Sequence, residues 1–302
     1  MKTLRQKLFG LSVPALSALC AFVIVLMVLL IIGDIVLGGW GTLSWEFLSG
    51  VPKEGMTAGG IYPAIFGTFL LVVIMSIVGV PIGTITAIYL SEYASQRSIL
   101  ARVVRFAVNT LAGVPAIVFG LFGLGFFIQF VGIRMDQVLT GGVQLKWGQP
   151  NILWASLTMA LLTLPVVIVS VEEAIRAVPR ELREASLALG ATKWETIRKV
   201  VLPNSITGIL TGAILAVSRG AGEVAPILFT GAAYFLPKLP GSLSDQFMEL
   251  GYHIYIMSTQ SPDVEATRGI QYATTLVLLV LTFTLNFAAV FLRYRIRMKS
   301  IR

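Results

Sequence analysis

Apolar residues run through this chain in six long blocks separated by short polar stretches, near 13–37, 62–90, 106–132, 151–171, 204–232 and 271–292. As a helix, each block is long enough to cross the roughly 30 Å hydrocarbon core of a bilayer. The pattern therefore predicts an all-α, polytopic membrane protein with six transmembrane helices. Pro81 and Gly83 predict a kink or break inside the second block, and the glycine-rich stretch from Gly55 to Gly60 predicts a bend ahead of it. The first block follows Lys2, Arg5 and Lys7 and stays apolar from Leu8 to Gly33. That is too long for the core of a cleaved leader, so it reads as a retained first helix. With no internal repeat, low-complexity tract or second polar region, residues 1–302 read as one membrane domain.

Composition agrees with the pattern. The chain is 56% hydrophobic and only 13% charged, against roughly 25% charged in soluble domains. The net charge of +8 would suit nucleic acid, but the basic residues sit between apolar blocks, as in membrane proteins, so no nucleic-acid partner is expected. The N-terminus, the 91–105 and 172–200 loops and the C-terminus hold 17 of the 23 Lys and Arg, and the other three loops hold five. This asymmetry predicts that both termini are cytoplasmic. Arg293, Arg295, Arg297, Lys299 and Arg302 read as an anchor on anionic lipid headgroups. Cys20 alone excludes an internal disulfide, and His253 has no companion at metal-ligand spacing. No G-x-x-x-x-G-K-[ST] loop, metal cluster or nucleophile–base pair is present. The chain reads as a non-enzyme that needs no cofactor and takes any ATP-derived energy from a partner.

Two polar features carry candidate chemistry. The first is the cytoplasmic loop 172–203. Its pattern predicts a short helix from Glu172 stopped at Pro179, and a second from Arg180 presenting Leu182, Ala185, Leu187 and Leu189. A turn at Gly190 and a third helix from Thr192 to Val201 follow, ending at Pro203. On pattern alone the loop either rests on lipid headgroups or lays a helix in a partner's groove. The second feature is Arg219 and Glu223, four residues apart in the fifth block and so on one helix face. An intramembrane charge costs roughly 2.5–3.5 kcal/mol on insertion scales. The two readings are an ion pair that mitigates its own burial, and an anion pathway in which Arg219 attracts an oxyanion and Glu223 holds it in place. The default for intramembrane charges favours the second, and Gly220, Gly222 and Pro226 permit unwinding there. Ser76, Thr84, Thr86, Asn109 and Thr110 line a pathway or, the better-supported reading, bond within and between helices. Asp34 reads as interfacial.

The loop resembles the EAA loop of bacterial ABC importer permeases, written E-A-A, three residues, G, nine residues, I-x-L-P. Glu184-Ala185-Ser186 stands for the triplet, Gly190 for the glycine, Val200 for the isoleucine, and Leu202-Pro203 closes it. Gly59-Gly60-Ile61, Pro63-Ala64-Ile65, Gly67-Thr68, the run Tyr89 to Tyr93, the run Asn109 to Pro115 and the run Gly222 to Thr230 resemble the PstA-type branch, permeases of phosphate importers. The resemblance implies a type I importer permease fold that passes inorganic phosphate into the cytoplasm of a bacterium by alternating access. It implies that Glu184, Ala185, Gly190, Leu202 and Pro203 form the coupling segment for a cytoplasmic ATPase dimer. It further implies a second, PstC-like permease subunit, an extracytoplasmic phosphate-binding protein, and phosphate passage near Arg219. One feature departs: an arginine expected near the end of the fourth span is missing between Pro165 and Glu172. The alternatives are the same machine for sulfate or molybdate, an ion-coupled carrier using Arg219 and Glu223 as a proton relay, and a scaffold that transports nothing.

Overall fold

The computed structural model describes residues 4–95, 97–261 and 263–300; Lys2 and Arg302, counted above among the basic residues, lie outside them. Six helices among the described residues are long and apolar enough to span: Val13–Trp40, Tyr62–Tyr93, Ala116–Leu139, Ile152–Arg176, Lys193–Gly220 and Val264–Met298. An even number of crossings puts both chain ends on one face, called here the terminal face.

The helix limits differ from the apolar blocks in instructive ways. The second span runs unbroken through Pro81. The third block, expected as 106–132, is divided. Helix Ile99–Ala112, capped by the Ser98 hydroxyl, stops before Gly113-Val114-Pro115, and a new helix starts at Ala116. Proline lacks an N–H and pushes the residue before it out of the helical region. The fourth span continues past 171 to Arg176 and absorbs the short helix expected from Glu172. Glu172 accepts from both Arg105 and Arg176, at 3.1 and 2.6 Å, so paired charge lets the helix outrun its apolar block. The fifth span begins at Lys193 and ends at Gly220 rather than running over 204–232. It passes Pro203 because a π-helical turn, Ile197–Val201, precedes it and shifts the hydrogen-bond register. The sixth helix, Val264–Ser300, is longer than 271–292.

The fourth span lies between the second and fifth and is the most buried of the six. One core joins Leu71, Val72 and Met75 of the second span to Met159 and Leu162 of the fourth, together with Ala221, Ile227 and Phe247. A second core, toward the terminal face, joins Ala87 and Leu90 to Val167, Ile168, Val171, Ile175 and Val201. The first span packs along the sixth, where Gly39 meets Ala273 and the Tyr272 hydroxyl donates to the exposed Asp34 at 3.0 Å. Its apolar residues from Val13 to Ile31 face outward, as lipid contact requires. The sixth helix is tied to the fifth by polar bonds, Ser218 to Asn286 at 2.6 Å and Arg293 to Thr211 at 2.9 Å.

On the face opposite the chain ends, the glycine-rich stretch forms a tight hairpin, Pro52–Lys53 against Ala58–Gly59, with Gly55 in the left-handed region. A short helix, Leu250–Thr259, carries the buried His253 and packs on the second and sixth spans. Glu249 caps it, accepting from the Gly251 and Tyr252 N–H groups at 2.9 and 2.6 Å. Thr68 of the second span adds a hydroxyl to Glu249 at 3.4 Å and accepts from the Leu250 N–H at 3.0 Å. Gly67 is required for this approach, because a Cβ there would overlap the Met248 carbonyl. Burial pushes the Glu249 carboxyl up to about 7, against the hydrogen bonds that favour its ionised form, and holds the His253 imidazole near 4.

The sign for Glu249 follows directly. Its folded value lies above the ordinary 4.5, so folding retains a proton there and stability is lost as pH rises through 7. His253 works the other way: across the same window the unfolded imidazole, ordinarily at 6.5, gives up its proton while the folded one, near 4, is already neutral, so about 1 kcal/mol of stability is regained between pH 6 and 8. Between pH 6 and 8 the Glu249 share amounts to about 1 kcal/mol. Thermal unfolding in detergent is expected to show nearly level midpoints at pH 6 and pH 8 in the wild type, and a midpoint about 2 °C higher at pH 8 than at pH 6 in Glu249→Gln, where only the His253 share remains.

Candidate functional site

The fifth span ends where its sequence loses the ability to continue. Gly220 packs its bare Cα against the end of the Met75 side chain, which would have to shift to admit a Cβ. The segment 221–230 then forms a series of turns, with Pro226 among them. Met75 lies thirteen residues into the second span, about 20 Å along that helix, so the unwinding occurs deep within the span. Irregular backbone at such depth persists only where protein buries it or water reaches it. Protein buries much of it here. Ile227 and Thr230 are fully buried, and the Thr230 carbonyl accepts from the Asn151 N–H at the start of the fourth span. Gly222 is exposed.

Arg219 occupies the last helical turn and Glu223 lies three residues past the helix end. They are therefore not two residues on one helix face, as a continuous span would have made them. The chain turns back after Gly220 and still brings them together, with Arg219 Nε 3.5 Å from Glu223 Oε1. Their side chains are 38% and 29% exposed. The pair is half-open, and this single contact leaves most of the guanidinium donors free for another acceptor.

A second helix break lies at the same level. Leu111, Val114 and Ala116, flanking the interruption at 113–115, pack on the core that contains Met75 and Ala221. Asn109 and Thr110 are exposed one turn before this break. Asn109 borders a cavity of about 450 Å³ with Arg105, Val169, Glu172, Glu173 and Arg176, while the Thr110 hydroxyl returns to the Phe106 carbonyl. Ser76, Thr84 and Thr86 likewise donate to carbonyls one turn earlier in their own helix. These hydroxyls satisfy themselves locally.

The loop expected over 172–203 forms a hairpin on the terminal face. Helix Arg180–Ala188 buries none of its residues, and Glu184, Ala185 and Gly190 are exposed along with Leu182, Leu187 and Leu189. Gly190 has φ of +87°, a left-handed turn open to glycine at no steric cost. Thr192 and Glu195 then cap the next helix reciprocally. The Ser186 and Thr196 hydroxyls, 2.9 Å apart, tie the two arms together. Leu202 and Pro203 stand apart from the exposed arm, at the base of the fifth span, where Leu202 packs on the lower core. Sequence reasoning missed Arg183 and Glu92, which join across the hairpin's root at 3.1 Å. No local signal marks a pair 91 residues apart.

Residues 79–298 match the family described as binding-protein-dependent transport system inner membrane component. The chain belongs to that family. It is 31% identical over 296 residues to the probable ABC transporter permease protein YqgI of Bacillus subtilis, covering 93% of this chain and 95% of that one. It is 36% identical over 259 residues to phosphate transport system permease protein PstA 1 of Mycobacterium tuberculosis, covering 85% and 76%. Among solved structures, a bacterial ABC transporter that imports the acidic polysaccharide alginate superposes with a TM-score of 0.64 at 16% identity, over 95% of this chain and 96% of that one. The inward-facing MetNI methionine ABC transporter gives 0.52 at 20% identity, over 78% and 94%. These two likenesses show the fold, the helical arrangement of type I importer permeases.

The hairpin turn gives a direct test of the geometry. Gly190→Ala places a Cβ in the left-handed region at a cost of about 1 kcal/mol. Hydrogen exchange of amides in 180–196 is expected to accelerate about fivefold, with exchange in the fourth span unchanged.

Proposed function

We propose that this chain is the permease subunit through which an ATP-driven importer passes inorganic phosphate across a bacterial inner membrane, and that Arg219 is the group the anion meets. The observation that carries the reading is the half-open Arg219–Glu223 pair, set deep in the membrane where the fifth span unwinds. The chain that holds it has named phosphate permeases as relatives at 36% identity. A guanidinium offers planar paired donors that match the oxygens of a tetrahedral oxyanion. Glu223 occupies Nε and orients the group. Asn109, exposed beside the second helix break and bordering the cavity with Arg105 and Glu172, fits a pathway lining on the terminal-face side of Arg219, whereas the Thr110 hydroxyl is already bonded to the Phe106 carbonyl.

The terminal face is cytoplasmic in this reading, which suits the 15 described basic residues gathered there. The 180–190 arm docks on a cytoplasmic ATPase dimer. Its exposed Leu182, Leu187 and Leu189, with Glu184 and Ala185 between them, give the apolar anchors of a helix laid in a groove. Residues 172–203 thus act as the coupling segment, with Leu202 and Pro203 carrying its motion into the fifth span. A second permease subunit of PstC type completes the pathway, and an extracytoplasmic phosphate-binding protein delivers the anion to the opposite face. The chain supplies no chemistry of its own. ATP is hydrolysed by the partner, and alternating access opens Arg219 first to one side and then to the other.

The test is ATP-dependent uptake of labelled phosphate into vesicles holding the assembled complex, with sulfate and molybdate as competitors. Arg219→Gln keeps a polar amide but loses the charge and shortens the side chain, and is expected to lower uptake at least about tenfold, the worth of one charged hydrogen bond. Uptake that competing sulfate suppresses as well as unlabelled phosphate does would reassign the substrate. Uptake that persists with a hydrolysis-dead ATPase would overturn the ATP-driven reading.

A further inference from the structure

Helix Arg180–Ala188 buries none of its residues, so packing alone does not attach it to the membrane body. Beside the Ser186–Thr196 hydroxyl contact at 2.9 Å, what attaches it is Arg183. Its guanidinium reaches Glu92 through Nε at 3.3 Å and through Nη2 at 3.1 Å. The same Nη2 donates to the Ile175 carbonyl at 2.7 Å, and Nη1 donates to the Val178 and Pro179 carbonyls. One side chain thus holds three elements: the exposed arm, the end of the second span at Tyr89–Tyr93, and the end of the fourth span. The pair is well enclosed, at 19% and 12% exposure. The carbonyls it meets close the fourth span's C-terminal end, where a cation also complements the helix dipole.

A guanidinium with this many partners fixes orientation as well as separation, because its donors lie in one rigid plane. An ammonium in its place would reach the carboxylate or the carbonyls but would not hold both in one plane. The second span then continues the path. It runs from Glu92 up to Met75, and Met75 abuts Gly220, the residue beside Arg219. A packed series of contacts therefore connects the exposed arm to the Arg219–Glu223 pair.

We infer that Arg183 and Glu92 form the clamp through which displacement of the 180–190 arm moves the second and fourth spans, so that Arg183 is a positioning residue for energy coupling. This rests on the reading of the arm as the ATPase dock. The bland account, an ion pair that only stabilises the loop, predicts a different outcome. Under it, substitutions lower the amount of complex and leave the performance of each assembled complex intact.

The experiment uses the whole complex, this chain with its partner permease, ATPase and phosphate-binding protein, reconstituted in lipid vesicles. Phosphate transported per ATP hydrolysed is measured alongside stimulation of hydrolysis by loaded binding protein. Arg183→Lys keeps a cation at the fourth span's end, and Glu92→Gln keeps an acceptor for Arg183, so neither leaves the site without a partner. Both are expected to assemble and to hydrolyse ATP at a basal rate within about twofold of wild type. Stimulation and transport per ATP should each fall about tenfold, the scale of a lost charged contact. Wild-type coupling per assembled complex in both variants would overturn the clamp. A wild-type complex whose hydrolysis drives no phosphate uptake would instead overturn the importer reading beneath it.

Discussion

Hydrocarbon supplies no partner for a free N–H or C=O, and the whole architecture follows from how this chain meets that condition. The six spans meet it by staying helical. The exceptions mark where chemistry is possible. The helix stops at Ala112 and again at Gly220, and the residues flanking both stops pack on one core around Met75. The turns after Gly220 are covered by the second and fourth spans and bonded to Asn151. Within the third and fifth spans π-helical turns, Gly123–Gly132 and Ile197–Val201, carry the chain on with its backbone groups paired, and another at Tyr89–Tyr93 closes the second span.

The same condition sorts the arginines. Arg183 has its donors committed to a carboxylate and three carbonyls, and has little left for a ligand. Arg105 and Arg176 share Glu172 at the terminal face. Arg219 has one partner at 3.5 Å and stands 38% exposed. An anion gains most from a cation whose donors are still free, because it then displaces only water. Saturation fits Arg183 for holding structure, and openness fits Arg219 for binding.

Much of this was legible in the sequence, and what was not has physical causes. Apolar blocks report which segments tolerate lipid, so the number of spans came through. They do not report whether backbone bonds are satisfied, so hydropathy alone carries the fifth block on through 221–232, while Gly220, Gly222 and Pro226 are the signal that permits the unwinding the structure has there. The fourth span was read short for the opposite reason: Glu172 and Arg176 look like loop residues until their pairing is seen. Gly190 and Thr192 declared their turn and cap because those motifs are local. The Arg183–Glu92 contact crosses 91 positions and only the fold can disclose it.

The polar bonds between helices also decide what moves with what. Ser218–Asn286 and Arg293–Thr211 bind the sixth helix to the fifth at two levels. Arg183 binds the exposed arm to the second and fourth spans, while Ser186–Thr196 binds it to the root of the fifth. A push on the arm therefore reaches the central spans by two routes of unequal stiffness. One is a multidentate ionic clamp and the other a single hydroxyl contact. A charged, multiply bonded link resists shear better than one neutral hydrogen bond. If the arm moves as proposed, the ionic clamp ties it to the second and fourth spans more firmly than the hydroxyl contact ties it to the fifth. Arg219 sits in the last turn of the fifth span and Met75 lies on the second, packed against Gly220, so any relative motion of those two spans would be felt at the surface beside the arginine.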